Sequence, residues 1–264
     1  MILLNNLLAI FRREFTSYFT SPLAYLITAV FWLISGFFFV SILLGPEGII
    51  QQVSRREQLQ IPVPPVDVAY QFLTYYFSFL GSLVLFILPA LSMGLYTEER
   101  KRGTLELIAT SPITNWIVAL GKLLGVLAFF TVMILPLLGY EIYVFNAASP
   151  PIPPAVPLLA HGALLLLAAS ILSLGMFISS LTDNTIFAAI ITFAVVLFLW
   201  VTDLIANRVS GGFGEALEHI SLISNYETLV QGILDTSSLV VFGSYILLGL
   251  FLTAQSIALL RGSS

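Results

Sequence analysis

Long apolar runs separated by short polar breaks dominate this chain. Six of them reach the roughly 20 residues a helix needs to cross hydrocarbon: 23–44, 72–96, 116–145, 156–181, 186–206 and 239–260. Each predicts a spanning helix, because a backbone in lipid must satisfy its polar groups within its own segment unless a barrel closes. The stretch before the first run has a different pattern. Over 2–20, Leu4, Leu7, Leu8, Phe11, Phe15 and Tyr18 recur at helical spacing, while Asn5, Arg12, Arg13, Thr16 and Thr20 take the other side. That predicts an amphipathic helix lying in the membrane interface. The first run is too long for a signal-peptide core and lacks a small-residue cleavage site.

The breaks carry their own signals. The loop at 45–71 holds Gly45, Pro46 and Gly48, then Pro62, Pro64 and Pro65; the loop near 146–157 holds Pro150, Pro151, Pro153, Pro154 and Pro157. Both predict stiff, extended connectors. The break at 182–185 is so short that the fourth and fifth runs must form an antiparallel hairpin, with Asp183 or Asn184 capping the fifth helix. The segment 207–238 contains Gly211, Gly212 and Gly214 and then two mildly apolar patches. One or two short helices, resting in the outer interface or re-entering it, are expected there. No long-period repeat is visible, and residues 1–264 read as a single all-α membrane domain.

Composition agrees with the pattern. Charged residues are 9% of the chain, against roughly 25% in soluble domains, and the mean hydropathy is +1.01. There is no cysteine, which excludes disulfides and thiol chemistry, and a net charge of −4 gives nucleic acid no handle. With the N-terminus inside, Arg12, Arg13, Arg100, Lys101, Arg102, Lys122 and Arg261 fall on the inner side, and only Arg55, Arg56 and Arg208 fall outside. The positive-inside rule therefore predicts both termini in the cytoplasm.

Catalytic constellations are missing from the sequence. The two histidines, His161 and His219, lie far apart, with no H-E-x-x-H and no G-x-S-x-G motif. No Walker A motif occurs, so the chain does not bind ATP through a P-loop of its own. Glu141 and Asp203 fall inside spans, where charge is costly. They are candidates for a translocation path, the alternative being hydration at headgroup depth. Gly121-x-x-x-Gly125 would let another helix approach closely, although chance produces such a match as readily.

One charged stretch stands out: Glu98-Glu99-Arg100-Lys101-Arg102-Gly103-Thr104-Leu105-Glu106-Leu107, then Thr110-Ser111-Pro112 and Gly121-Lys122. A lipid anchor explains Arg100, Lys101 and Arg102 but not Glu98, Glu99 and Glu106, which weaken contact with anionic lipid. Mixed charge beside an apolar segment fits a docking surface for another protein. The stretch resembles the signature of type-2 ABC transporter permeases. Arg13 to Pro22 and Gly232 to Ser237 are similar to the gliding-motility-type subgroup.

The resemblance implies a permease without its own nucleotide-binding domain. A coupling helix within 98–112, between the second and third spans, would meet a separate ATPase carrying ATP and Mg. Glu98, Glu99, Arg100, Gly103, Thr104 and Glu106 would make the coupling contact, supported by Ser111, Pro112 and Lys122. A second permease copy or a related permease would complete the unit, with an auxiliary membrane protein bearing an extracellular domain as a further partner. A bacterial inner membrane and an exporter function are what this implies, with substrate unspecified. A non-transporting motility or envelope scaffold and an ion-coupled secondary transporter are the alternatives.

Overall fold

The computed structural model describes residues 2–59, 67–105, 113–148, 152–206, 208–209 and 211–262. The expectations on Pro62, Pro64, Pro65, Glu106, Ser111, Pro112, Pro150 and Pro151 lie outside the described residues. Among the described residues the regular structure is entirely helical, and six helices are long and apolar enough to cross a membrane.

The helices begin where local chemistry permits. Helix α1 (Ile2–Tyr18) leads through a short turn to α2 (Pro22–Leu44), where Ser21 caps the first turn and Pro22 supplies a fixed φ at no hydrogen-bond cost. The loop after α2 departs from the extended connector expected of it. It contains α3 (Ile49–Gln58), because the residues between Gly48 and the proline run are good helix formers. Asp67 accepts the Tyr70 N–H at 3.0 Å and starts α4 (Val68–Ser92). After a break at Met93 the chain continues as α5 (Gly94–Lys101), and Gly103, at φ +67°, ends that extension.

Helix α6 (Asn115–Ala147) has 33 residues, about 50 Å at 1.5 Å per residue. That exceeds the roughly 30 Å of hydrocarbon, so it tilts or projects. Helix α7 (Ala155–Leu181) follows, with Pro154 and Pro157 in its opening turn and not in an extended connector. Asn184, one of the two expected caps, accepts the Phe187 N–H at 3.1 Å at the start of α8 (Thr185–Ala206). The glycine-rich segment then forms α9 (Gly212–Ile220) and α10 (Leu222–Val230), before α11 (Thr236–Gly262).

Helix α7 is the centre of the bundle. It packs on α4, α5, α6, α8, α10 and α11, and Ala163, Ala168, Ser170 and Ser173 on it are fully enclosed. Small residues allow this. A Cβ on Gly249 would lie 2.6 Å from Ser173 Cβ, so α11 touches α7 almost backbone to backbone. Between apolar helices in lipid, such close packing replaces the hydrophobic drive that water supplies. Helices α2 and α8 are peripheral and expose Leu33, Phe37, Ile186 and Phe198.

At the far end of the bundle from Gly103, α10 is pinned onto α4. The Tyr226 hydroxyl donates to the Phe77 carbonyl at 2.7 Å, and its ring lies where a side chain on Gly81 would be. Tyr70 adds a hydrogen bond to the Gln231 carbonyl at 2.9 Å.

Candidate functional site

The charged stretch divides as soon as it folds. Glu98 to Lys101 form the last turn of α5, so residues three and four apart share a face. Glu99 turns inward and Glu98 outward. At the centre of the inner side sits Lys122, from the second turn of α6, almost fully buried. Its Nζ lies 2.9 Å from Glu14 Oε2 and 3.2 Å from Glu99 Oε1, and it donates to the Leu95 carbonyl at 2.7 Å. The ammonium has three donors and three acceptors around it, and it stands 4.9 Å from the centre of the Tyr96 ring. Arg13, 3.4 Å from Glu99, balances the second carboxylate. Helices α1, α5 and α6 are tied together at one point.

Close approach of α1 makes this possible. A Cβ on Gly121 would lie 2.8 Å from Ile10 Cγ2, and one on Gly125 would lie 2.6 Å from Glu14 Cβ. Tyr18 stacks on Phe129 at 4.9 Å, one further step of four along both helices. Helix α1 therefore follows α6 residue for residue through Ile10, Glu14 and Tyr18. The Gly121-x-x-x-Gly125 pair is a packing seam. Of the expected stripe, Leu7, Phe11, Phe15 and Tyr18 are partly buried together with Ile10 and Glu14, while Leu4 and Leu8 are 59% and 53% exposed. The Tyr18 hydroxyl donates to the Leu91 carbonyl at 2.8 Å, and burial, with Glu14 and Glu98 nearby, raises its pKa well above the usual tyrosine value.

The other side of α5 is held by α7. Arg100 donates to the Ser180 carbonyl at 2.7 Å, and Ser179 Oγ accepts the Tyr96 N–H at 2.9 Å while donating to the Met93 carbonyl at 2.9 Å. Glu98 and Arg102 form an exposed pair at 3.4 Å. Lys101 and Gly103 are exposed, and Thr104 folds back to donate from its hydroxyl to the Glu99 carbonyl at 3.2 Å. The six coupling candidates thus separate: Glu99 and Arg100 hold the fold, Glu98 and Gly103 face outward, Thr104 lies between, and Glu106 is outside the described residues. Glu99 does not lie in water, because its carboxylate is taken up by Lys122.

Beside this knot, residues of α1, α2, α4, α5, α6 and α8 line a half-open cavity of about 370 Å³. Arg13, Glu98, Glu99 and Arg102 line one part of it, and Leu23 and Ile27 another.

Glu141 and Asp203 are both enclosed by protein, so hydration at headgroup depth fails for both. Glu141 is 1% exposed and stands 3.6 Å from His161 Nε2, with neither group making a hydrogen bond to the other. His161 is itself buried, with Nδ1 2.9 Å from the Pro157 carbonyl. Asp203 is also buried and accepts a hydrogen bond from the Ser221 hydroxyl, which caps α10. Neither carboxylate lines the cavity.

Glu14 is the residue that sequence reading passed over. It was placed within an amphipathic stretch, and its signal was its spacing: Ile10, Glu14 and Tyr18 repeat the period of Gly121, Gly125 and Phe129.

A family profile described as ABC-2 family transporter protein matches residues 64–260, about three quarters of the chain. The match takes in Glu99 and Lys122 and leaves out Glu14. No curated protein matches the chain. Six apolar helices and a profile match over most of the length place this multi-pass integral membrane protein in the ABC-2 transporter family, as a permease component that works with an ATPase partner.

Proposed function

We propose that the chain is the permease half of an exporter, and that a separately encoded ATPase, holding ATP and Mg, docks on the exposed end of α5 and the segment up to residue 112. Glu98, Lys101 and Arg102 make the docking contact. Glu99, Arg100 and Lys122 pass the movement inward, to α7 through Arg100 and to α6 and α1 through Lys122. Glu106, Ser111 and Pro112 complete the coupling element. The observation that carries this reading is the three-way contact of Lys122. A push on α5 cannot leave α1 and α6 in place without separating a buried ammonium from its carboxylates, which is costly.

In this reading both termini lie in the cytoplasm of a bacterial inner membrane, α1 rests at the inner interface, and a second permease copy completes the unit. The match of Arg13 to Pro22 with the gliding-motility-type pattern keeps that subgroup, and its auxiliary extracellular partner, within the proposal. Glu141 and Asp203 enter a translocation path only after the helices that enclose them part.

The test is co-purification with the cognate ATPase. Charge reversal at Glu98, Lys101 and Arg102 together is expected to release the ATPase while membrane insertion persists. Glu99→Gln is expected to keep the ATPase bound and to reduce transport-coupled hydrolysis. Retention of the partner with unchanged hydrolysis in the triple variant would sink the docking assignment.

A further inference from the structure

The cavity beside the knot shares Glu98, Glu99 and Arg102 with the coupling element and adds Arg13 and an apolar wall. Its charged lining is Arg13, Arg102 and Lys122 against Glu14, Glu98 and Glu99, a net charge of zero with both signs present. Lys122 is consumed within the knot, but carboxylate capacity is left over. Among the described residues, Glu99 Oε2 has no hydrogen-bond partner and Glu98 accepts from Arg102 alone, where an ionised carboxylate has about four acceptor sites. Arg13 and Arg102 are mostly exposed, with guanidinium donors free for a phosphate. A volume of about 370 Å³ falls within the range of small-ligand pockets, roughly 300–1,000 Å³.

The apolar wall says what kind of molecule brings such a headgroup. Leu23 opens one of the two least buried spans. Leu26, Val30, Leu33 and Phe37 continue from it at helical spacing, all exposed. From Leu23 to Phe37 the track is about 21 Å long, enough for an acyl chain across one leaflet of about 15 Å.

We infer that this cavity binds the headgroup of a phospholipid carrying a primary ammonium, with the phosphodiester between Arg13 and Arg102, the ammonium on Glu98 and the rim of Glu99, and one acyl chain along α2. A choline headgroup has no N–H to donate to the carboxylates, and a glycerol headgroup brings no cation for them. Binding ties the bilayer to the three helices that Lys122 joins. The binding requires no ATPase, so its failure leaves the exporter reading standing.

The experiment is native mass spectrometry of the full chain, purified in detergent, with synthetic phosphatidylethanolamine, phosphatidylcholine or phosphatidylglycerol added. Phosphatidylethanolamine is expected to be retained about tenfold over phosphatidylcholine, the scale of one charge-assisted hydrogen bond. Glu98→Gln frees Arg102 and is expected to reverse the preference toward phosphatidylglycerol. Arg102→Ala is expected to lower retention of both. Both positions are exposed, and an unchanged thermal midpoint confirms that each variant folds. Equal retention of the three lipids, or a wild-type order that survives both substitutions, overturns the site. Displacement of the lipid by an equal concentration of soluble glycerophosphoethanolamine overturns the acyl track, and with it the lipid.

Discussion

Lys122 is a residue whose identity is set by three neighbours at once. Removing its charge leaves Glu14 enclosed without a counter-ion and Glu99 with Arg13 alone, and breaking a buried pair from one side costs about 3 kcal/mol or more. Lys122→Met is therefore expected to lower the thermal midpoint in detergent sharply, with Lys122→Met combined with Glu14→Gln recovering part of the loss; a single variant as stable as the parent would show that the knot carries no stability. Glu227 makes a pH-dependent case at the other end of the bundle. Burial, with Asp203 nearby, raises its pKa above the ordinary carboxylate value. The folded state then holds this proton more tightly than the unfolded chain does. Its contribution is full below the unfolded value and is lost as pH rises through the folded one. Thermal stability should fall across that window in the parent and fall less in Glu227→Gln, as a series of melts at increasing pH would read.

Among the elements, α1 has the position least apparent from its own pattern. Its apolar stripe suggests a helix lying on a membrane, yet Ile10 and Glu14 seat on Gly121 and Gly125 and carry it along α6. Gly125→Ala puts a methyl group into the backbone seam of α1 and is expected to loosen α1 and separate Glu14 from Lys122. Limited proteolysis near residues 19–21 should then speed up. Gly139→Ala, on the same helix with open space around it, should not change the cleavage. Equal cleavage of all three proteins would mean that α1 does not depend on the seam. The α9 and α10 segment behaves differently. Its short helices were legible from the glycines and the apolar patches, but its attachment through Tyr226 and Gly81 joins residues far apart in the chain.

For the whole molecule, the contrast is between an enclosed α7 and the exposed α2 and α8. A side chain on Gly175 would meet Ser92 on α4 and Thr192 on α8 together. Gly175→Val is expected to abolish recovery of folded protein, while Leu33→Val, at a site 74% exposed, should be recovered as the parent is. Size-exclusion profiles of the two variants decide it, and normal recovery of Gly175→Val would show that α7 is not the central support of the bundle.

Much of the architecture was readable because membrane crossing is a local demand. A run of about 20 apolar residues must be helical wherever it later packs, so all six spans and the short 182–185 turn follow from the chain itself. The helix at 49–58 was obscured by the prolines that follow it. Charge pairing is not local. Glu14, Glu99 and Lys122 lie far apart in sequence, and nothing in their immediate neighbours states that one ammonium serves two carboxylates. Sequence by itself determined the class of the molecule and where its charge is concentrated. Only the tertiary structure decided which of those charges face outward and which hold three helices together, because burial and partnership are properties of packed helices and not of any one segment.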